Sequence, residues 1–166
     1  MFTIRCTAKL LKRIGLKPAA LEHLADSTTG LGDWHAKLLF FDRAQSLLFT
    51  NDNSRLAVVT PARDARNLGA HLKAGLAELL AHLGAPQPWI DAELAEMDGP
   101  RIAPTRSRSV LATLNDYGFQ IEGRFHQWGG LYPLQMSLDL SGCPSGPLGY
   151  QLPFEVTMAL LKQRHG

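Results

Sequence analysis

Between residues 34 and 60 the chain carries three short apolar segments separated by two turn-length spacers. Trp34 to Phe41 is strongly apolar. Leu47 to Thr50 follows Asp42-Arg43-Ala44-Gln45-Ser46, and Leu56 to Thr60 follows Asn51-Asp52-Asn53-Ser54-Arg55. Short apolar runs bounded by turn residues read as strands, and a three-stranded antiparallel meander is the simplest way to join them. Pro61 closes it, because proline has no N–H for the ladder. Upstream, Phe2-Thr3-Ile4-Arg5-Cys6 alternates apolar and polar, as a half-buried strand does.

Most of the remaining chain has helical spacing. Ala8 to Ile14 reads as a short helix stopped by Gly15, and Lys17 to Ala25 as a second with Pro18 in its first turn. Asp26 to Gly32 is loop. Leu68, Leu72, Leu76, Leu79, Leu80 and Leu83 mark a helix from Ala65 to Leu83, with Asp64 as N-cap and Gly84 as stop. Trp89 to Met97 is a shorter acidic helix, and Arg101-Ile102-Ala103 fits a brief fifth strand. Ser107 or Ser109 caps a long helix running towards Trp128. Leu131 to Leu140 and Pro153 to Gln163 are the last helices, with a Gly/Pro/Ser loop from Ser141 to Gly149 between them. Strands early and helices late predict an α+β fold. The expected architecture is a small antiparallel sheet packed on one side by several helices. It comprises the N-terminal strand, the meander and a candidate fifth strand, in one domain spanning residues 1–166.

Hydrophobic residues make up 45% of the 166 and charged ones 19%, a composition that folds rather than one that stays disordered. A net charge of +2 gives no argument for nucleic acid or membrane from the total alone. Arg5, Lys9, Lys12, Arg13 and Lys17 precede the first acidic residue, Glu22. This basic segment is either a solvated face or an anion footprint. Lys9, Lys12 and Arg13 also interrupt any signal-peptide core, and no run reaches transmembrane length, so the expectation is a cytoplasmic protein without membrane contact.

Catalytic and metal signatures are missing. There is no P-loop, GxGxxG or GxSxG elbow, and the histidines at 23, 35, 71, 82, 126 and 165 lack ligand spacing. Cys6 and Cys143 make no zinc pattern; Cys6 reads as a buried thiol, and the redox state of both stays open. No metal and no cofactor are expected. Gly142-Cys143-Pro144-Ser145-Gly146 offers a thiol and a hydroxyl with nothing local to activate them.

The densest polar chemistry lies at residues 104–117. Val110, Leu114, Tyr117, Ile121, Phe125 and Trp128 form one apolar stripe, with Asp116, Gln120, Arg124 and Gln127 beside it. Arg106 and Arg108 stand at the N-terminal end, where the helix dipole disfavours cations. Free backbone N–H groups, Ser107, Ser109 and the two guanidiniums could converge on a phosphate or carboxylate; the bland alternative is a serine cap with solvated arginines. Asn115 either ties the helix to the sheet or orients a ligand, and Asp116 is a weak candidate for a general base. Gly32-Asp33-Trp34-His35, at a loop–strand junction, either lines a pocket or packs its Trp and exposes its His.

Several of these segments resemble a known family. They are residues 4–12, 31–38, 107–111, 114–116 and 148–153, which are spread in order along most of the chain. The chain resembles an uncharacterised bacterial domain-of-unknown-function family whose members often sit on mobile or cassette-like DNA. It departs from that pattern at Lys37 and Ala112. The resemblance implies a compact bacterial domain and no activity, but it groups Arg5, Asp33, Trp34, Arg108, Asn115 and Asp116 within matching segments.

Three functional readings follow. The first is a non-enzymatic binding or regulatory module for an anionic ligand, nucleic acid or protein partner, with DNA the least favoured. The second is a small enzyme acting on a phosphorylated or nucleotide-like substrate, with Asp116 as base. The third is a toxin–antitoxin component. Arg5, Asp33, Trp34, Arg106, Ser107, Arg108 and Ser109 are the candidate ligand-binding residues. Oligomeric state is left open.

Overall fold

The computed structural model describes residues 1–16 and 25–166. The helix expected over Lys17–Ala25 lies outside the described residues except for Ala25, which is not helical. The elements in chain order are β1 (Thr3–Cys6), α1 (Ala8–Ile14), β2 (Trp34–Phe41), β3 (Ala44–Asn51), β4 (Ala57–Pro61), α2 (Leu68–His82), α3 (Gln87–Glu96), β5 (Arg101–Pro104), α4 (Arg108–Trp128), α5 (Pro133–Ser141) and α6 (Pro153–His165). A 3₁₀ turn, Gly146–Leu148, lies in the Gly/Pro/Ser loop.

The α+β class expected from the pattern is the one found, with two corrections. The five strands run in the order β4-β3-β2-β1-β5. β2, β3 and β4 form the antiparallel meander, but β1 lies parallel to both β2 and β5, so the sheet is mixed. Each parallel pair is joined by a connection that contains helix, and such crossovers return the chain in the same direction. Helices also cover both faces rather than one. β2 and β3 are apolar on both sides, and neither side can be left to water.

Two cores result. On one face Phe2, Ile4, Trp34, Ala36, Phe49 and Val58 meet the leucines of α1 and α2. On the other, Leu39, Phe41, Leu48 and Val59 meet Leu114, Tyr117 and Ile121 of α4 and Met136 and Leu140 of α5. Gly75 lets α2 lie close on β4: a Cβ there would stand 2.7 Å from Val58 and 2.8 Å from Thr60.

Local details shift two boundaries. β3 begins at Ala44 because Asp42 and Arg43 alone make the hairpin turn, with Asp42 at φ 51° and Phe41 paired to Ala44. The N-cap of α2 is Asn67, not Asp64, which sits in the preceding turn at φ 50°.

Cys6 and Cys143 are both free thiols. Burial pushes the Cys6 thiol up from its ordinary 9.0 to about 12. Tyr117 is raised too, first by burial and then by Cys143 and Asp116, against the pull of Arg55. Both groups release protons more readily when unfolded. Stability is therefore constant with respect to them below the unfolded values, and falls as pH rises from about 9 towards 12. Urea denaturation at pH 8 and pH 10.5 should show this decline, with a shallower slope in Cys6→Ala. Equal stability at the two pH values would overturn it.

Candidate functional site

α4 enters over the sheet on the β2–β3 side, with Val110, Leu114, Tyr117, Gly118 and Ile121 buried beneath it. Ser107 is its cap, and its Oγ accepts from the Val110 N–H at 3.2 Å. The first turn holds no acidic residue. Arg106 and Arg108 flank the cap and are exposed.

A third arginine reaches the same end of the helix from below. Arg55 closes the turn between β3 and β4, 8% exposed and at φ 59°. This left-handed conformation is uncommon for a large side chain. Its Nη2 donates to Ser109 Oγ at 3.1 Å, and Nη1 donates to the Asp52 carbonyl. Its Nε is buried without a partner, and its own carbonyl accepts from Tyr117 Oη at 2.8 Å. Burial lowers the guanidinium below its ordinary value, opposed by Asp52 and Tyr117. A cation has thus been taken out of water and set against the positive end of a helix.

Next to it, His35 is fully buried. Its Nδ1 lies 2.7 Å from Asp52 Oδ1, and its Nε2 lies 3.3 Å from the Arg106 backbone nitrogen. A backbone N–H only donates, so Nε2 is the acceptor and the ring proton sits on Nδ1, donated to Asp52. Arg5 and Thr50 stand beside His35 in register on the neighbouring strands. Arg5 is 7% exposed, with Nη1 3.5 Å from the Pro104 carbonyl. The Thr50 hydroxyl is buried with no partner. Further along β2, Lys37 donates to Asn115 Oδ1 at 3.0 Å. Burial and then Lys9 lower that ammonium.

The helix entrance carries Arg106, Ser107, Arg108 and Ser109, and Arg55, His35 and Asp52 lie beside it. Asn115 ties helix to sheet through Lys37. Asp116 is exposed, accepts from Gln120 at 2.8 Å through Oδ2, and lines a cleft of about 300 Å³ that begins at Ser109 and ends at residues 143–147. Of the ligand-binding residues expected from the sequence, Ser109 lines this cleft, and Arg5, Asp33, Trp34, Arg106, Ser107 and Arg108 do not; Arg55 reaches it through Ser109. Asp33 is a joint: its carboxylate accepts from Thr3 N–H at 2.7 Å and its carbonyl from Asp52 N–H at 3.0 Å. Trp34 is buried in the core on the opposite face, with Nε1 unpartnered. Its neighbour His35, expected at the surface when Trp34 packs, is buried instead, because α4 and its leading loop cover that face.

Sequence reasoning missed Arg55. It ends a run of turn residues, and its contact with Ser109 spans 54 positions, so no local pattern announces it. His35 could have been found: strict alternation puts it on the face opposite Trp34, the α4 side.

A second polar cluster surrounds the loop at residues 30–31. Glu93 is fully buried and accepts from Gly30 N–H at 3.0 Å, Leu31 N–H at 2.8 Å and His165 Nε2 at 2.8 Å. Arg164 donates to both oxygens of Glu96. Glu93, Glu96 and His165 lie close enough to hold a metal ion. Every carboxylate oxygen here already accepts a hydrogen bond, so the donor set is used as a clamp on α6.

Fold and site together define an α+β protein with a mixed sheet and an arginine-rich helix entrance. The family model described as "Domain of unknown function (DUF6933)" matches residues 3–156, and the chain belongs to that family. No curated protein and no solved structure shows a significant match to it. Among the described residues, no helix is long and apolar enough to cross a membrane.

Proposed function

We propose that this chain is a non-enzymatic binding module that recognises an anionic group at the N-terminus of α4. The observation that carries the reading is Arg55, buried with an unpartnered Nε at the positive end of a helix that also bears Arg106 and Arg108. Helix N–H groups, the Ser109 hydroxyl and three guanidiniums are complementary to a phosphate or carboxylate. The left-handed backbone at Arg55 fits strain retained for function. A cytoplasmic site of action, a single-domain chain, and the bacterial mobile-DNA setting implied by the family resemblance belong to the same proposal.

Titration with inorganic phosphate tests it. The wild-type protein should bind, and binding should weaken with added salt. Arg55→Met should lose about tenfold or more, since charge-assisted bonds contribute roughly 1.5–3 kcal/mol. Arg13→Ala, at an exposed position on α1, should bind as wild type. Equal affinity in Arg55→Met and wild type would overturn the reading.

A further inference from the structure

We infer that the cleft beside this anion site takes a mononucleotide with an amino-bearing base, its phosphate at the α4 entrance and its exocyclic amine on Asp116. The inference rests on the anion reading and adds the rest of the ligand. The cleft is open to ligand along one face of α4, and successive turns of that face place Ser109, Thr113, Asp116 and Gln120 in its wall. Its two ends have opposite electrostatics. At Ser109 it meets the helix N-terminus, and the buried Arg55 guanidinium donates to the Ser109 hydroxyl from behind. That bond uses an acceptor position on the hydroxyl and leaves its proton free to donate into the cleft.

Asp116 forms the other end. Gln120 occupies its Oδ2, while Oδ1 accepts no hydrogen bond among the described residues. A carboxylate oxygen so presented selects a donor. Asp accepting from a cytosine N4 amine is an established mode of base recognition. Seven residues of helix separate Ser109 from Asp116, about 10 Å at the α-helical rise. That is the scale of the distance from the phosphate to the exocyclic amine of a nucleotide. The volume, about 300 Å³, admits one nucleotide and not an oligomer. Pro144 and Pro147 supply flat apolar surface opposite α4, against which a base can lie. An inorganic anion would fill one end and leave Asp116 and this surface unused.

CMP and UMP differ at the one position that Asp116 would read, an amine against a carbonyl. Calorimetric titration with CMP, UMP, cytidine and inorganic phosphate tests the inference, with wild type, Asp116→Asn and Arg55→Met. CMP should bind about tenfold or more tighter than UMP and than phosphate, the discrimination expected of one good base contact. Asp116→Asn, at an exposed position, should abolish most of the CMP preference and leave phosphate binding unchanged. Arg55→Met should weaken CMP and phosphate together. If CMP binds no tighter than UMP or phosphate while phosphate still binds and depends on Arg55, the nucleotide inference is overturned and the anion site stands. If neither phosphate nor CMP binds, both are overturned.

Discussion

Asn51→Ala is expected to cost about 3 kcal/mol of stability and to remove anion binding as well. Asn51 is fully buried at the end of β3. Its Oδ1 accepts from Asn53 N–H at 3.0 Å, Ser54 N–H at 2.8 Å and Ser54 Oγ at 3.1 Å. Its Nδ2 donates to the carbonyls of Leu31 at 3.0 Å and Asp33 at 3.3 Å. Alanine strands the buried Ser54 N–H, which costs roughly 1–3 kcal/mol when left unpaired, together with the Ser54 hydroxyl and the more accessible Asn53 N–H. The two carbonyls are less affected, because Asn53 Nδ2 also reaches Leu31 and Asp52 N–H also reaches Asp33. The same turn sets the backbone of Arg55, so phosphate affinity should fall with stability. Urea denaturation and phosphate titration of the variant check this. A loss under about 1 kcal/mol would sink the account of Asn51 as the support of the turn.

Glu93→Ala should have a similar or larger effect, about 3–5 kcal/mol, because it orphans three donors at once, each worth roughly 1–3 kcal/mol when buried and unpaired. The replacement leaves Gly30 N–H, Leu31 N–H and the His165 ring without their shared acceptor. His165→Ala should cost much less, about 1 kcal/mol, because the two backbone donors keep the carboxylate satisfied. Thermal denaturation of both variants distinguishes these cases. Equal losses would mean that the His165 contact, not the backbone pair, carries the stabilisation. Hydrogen exchange in α6 should rise in Glu93→Ala, because the clamp that holds its last turn is gone.

Glu93 also marks the limit of what local pattern conveys. Within residues 87–96 it reads as one of several acids on a short helix, and its burial depends on the loop at 30–31 and on α6, distant in sequence. Asn51 was visible as a turn residue, which describes its backbone and not its bonds to residues 31 and 33. The α4 stripe was legible throughout, from Val110 to Ile121, because a 3.6-residue period is imposed by the helix itself. Ser107 was legible as one of two possible caps, and the geometry selected it over Ser109. Ser109 instead meets Arg55. Trp34 belonged to a polar motif by position and to the core by face.

The sequence by itself determined the elements and their class. Apolar spacing, turn residues, caps and stops act over a few residues, and they specified the meander, the leucine helix and the long amphipathic helix. It also determined that arginines and serines would crowd one helix entrance. Only the tertiary structure decided that β1 runs parallel to its neighbours, that both faces of the sheet are covered, and that Arg55 and His35 lie under that entrance. Those features depend on contacts between residues far apart in the chain, where burial and hydrogen bonding are settled by which surfaces meet, and local periodicity does not carry that information.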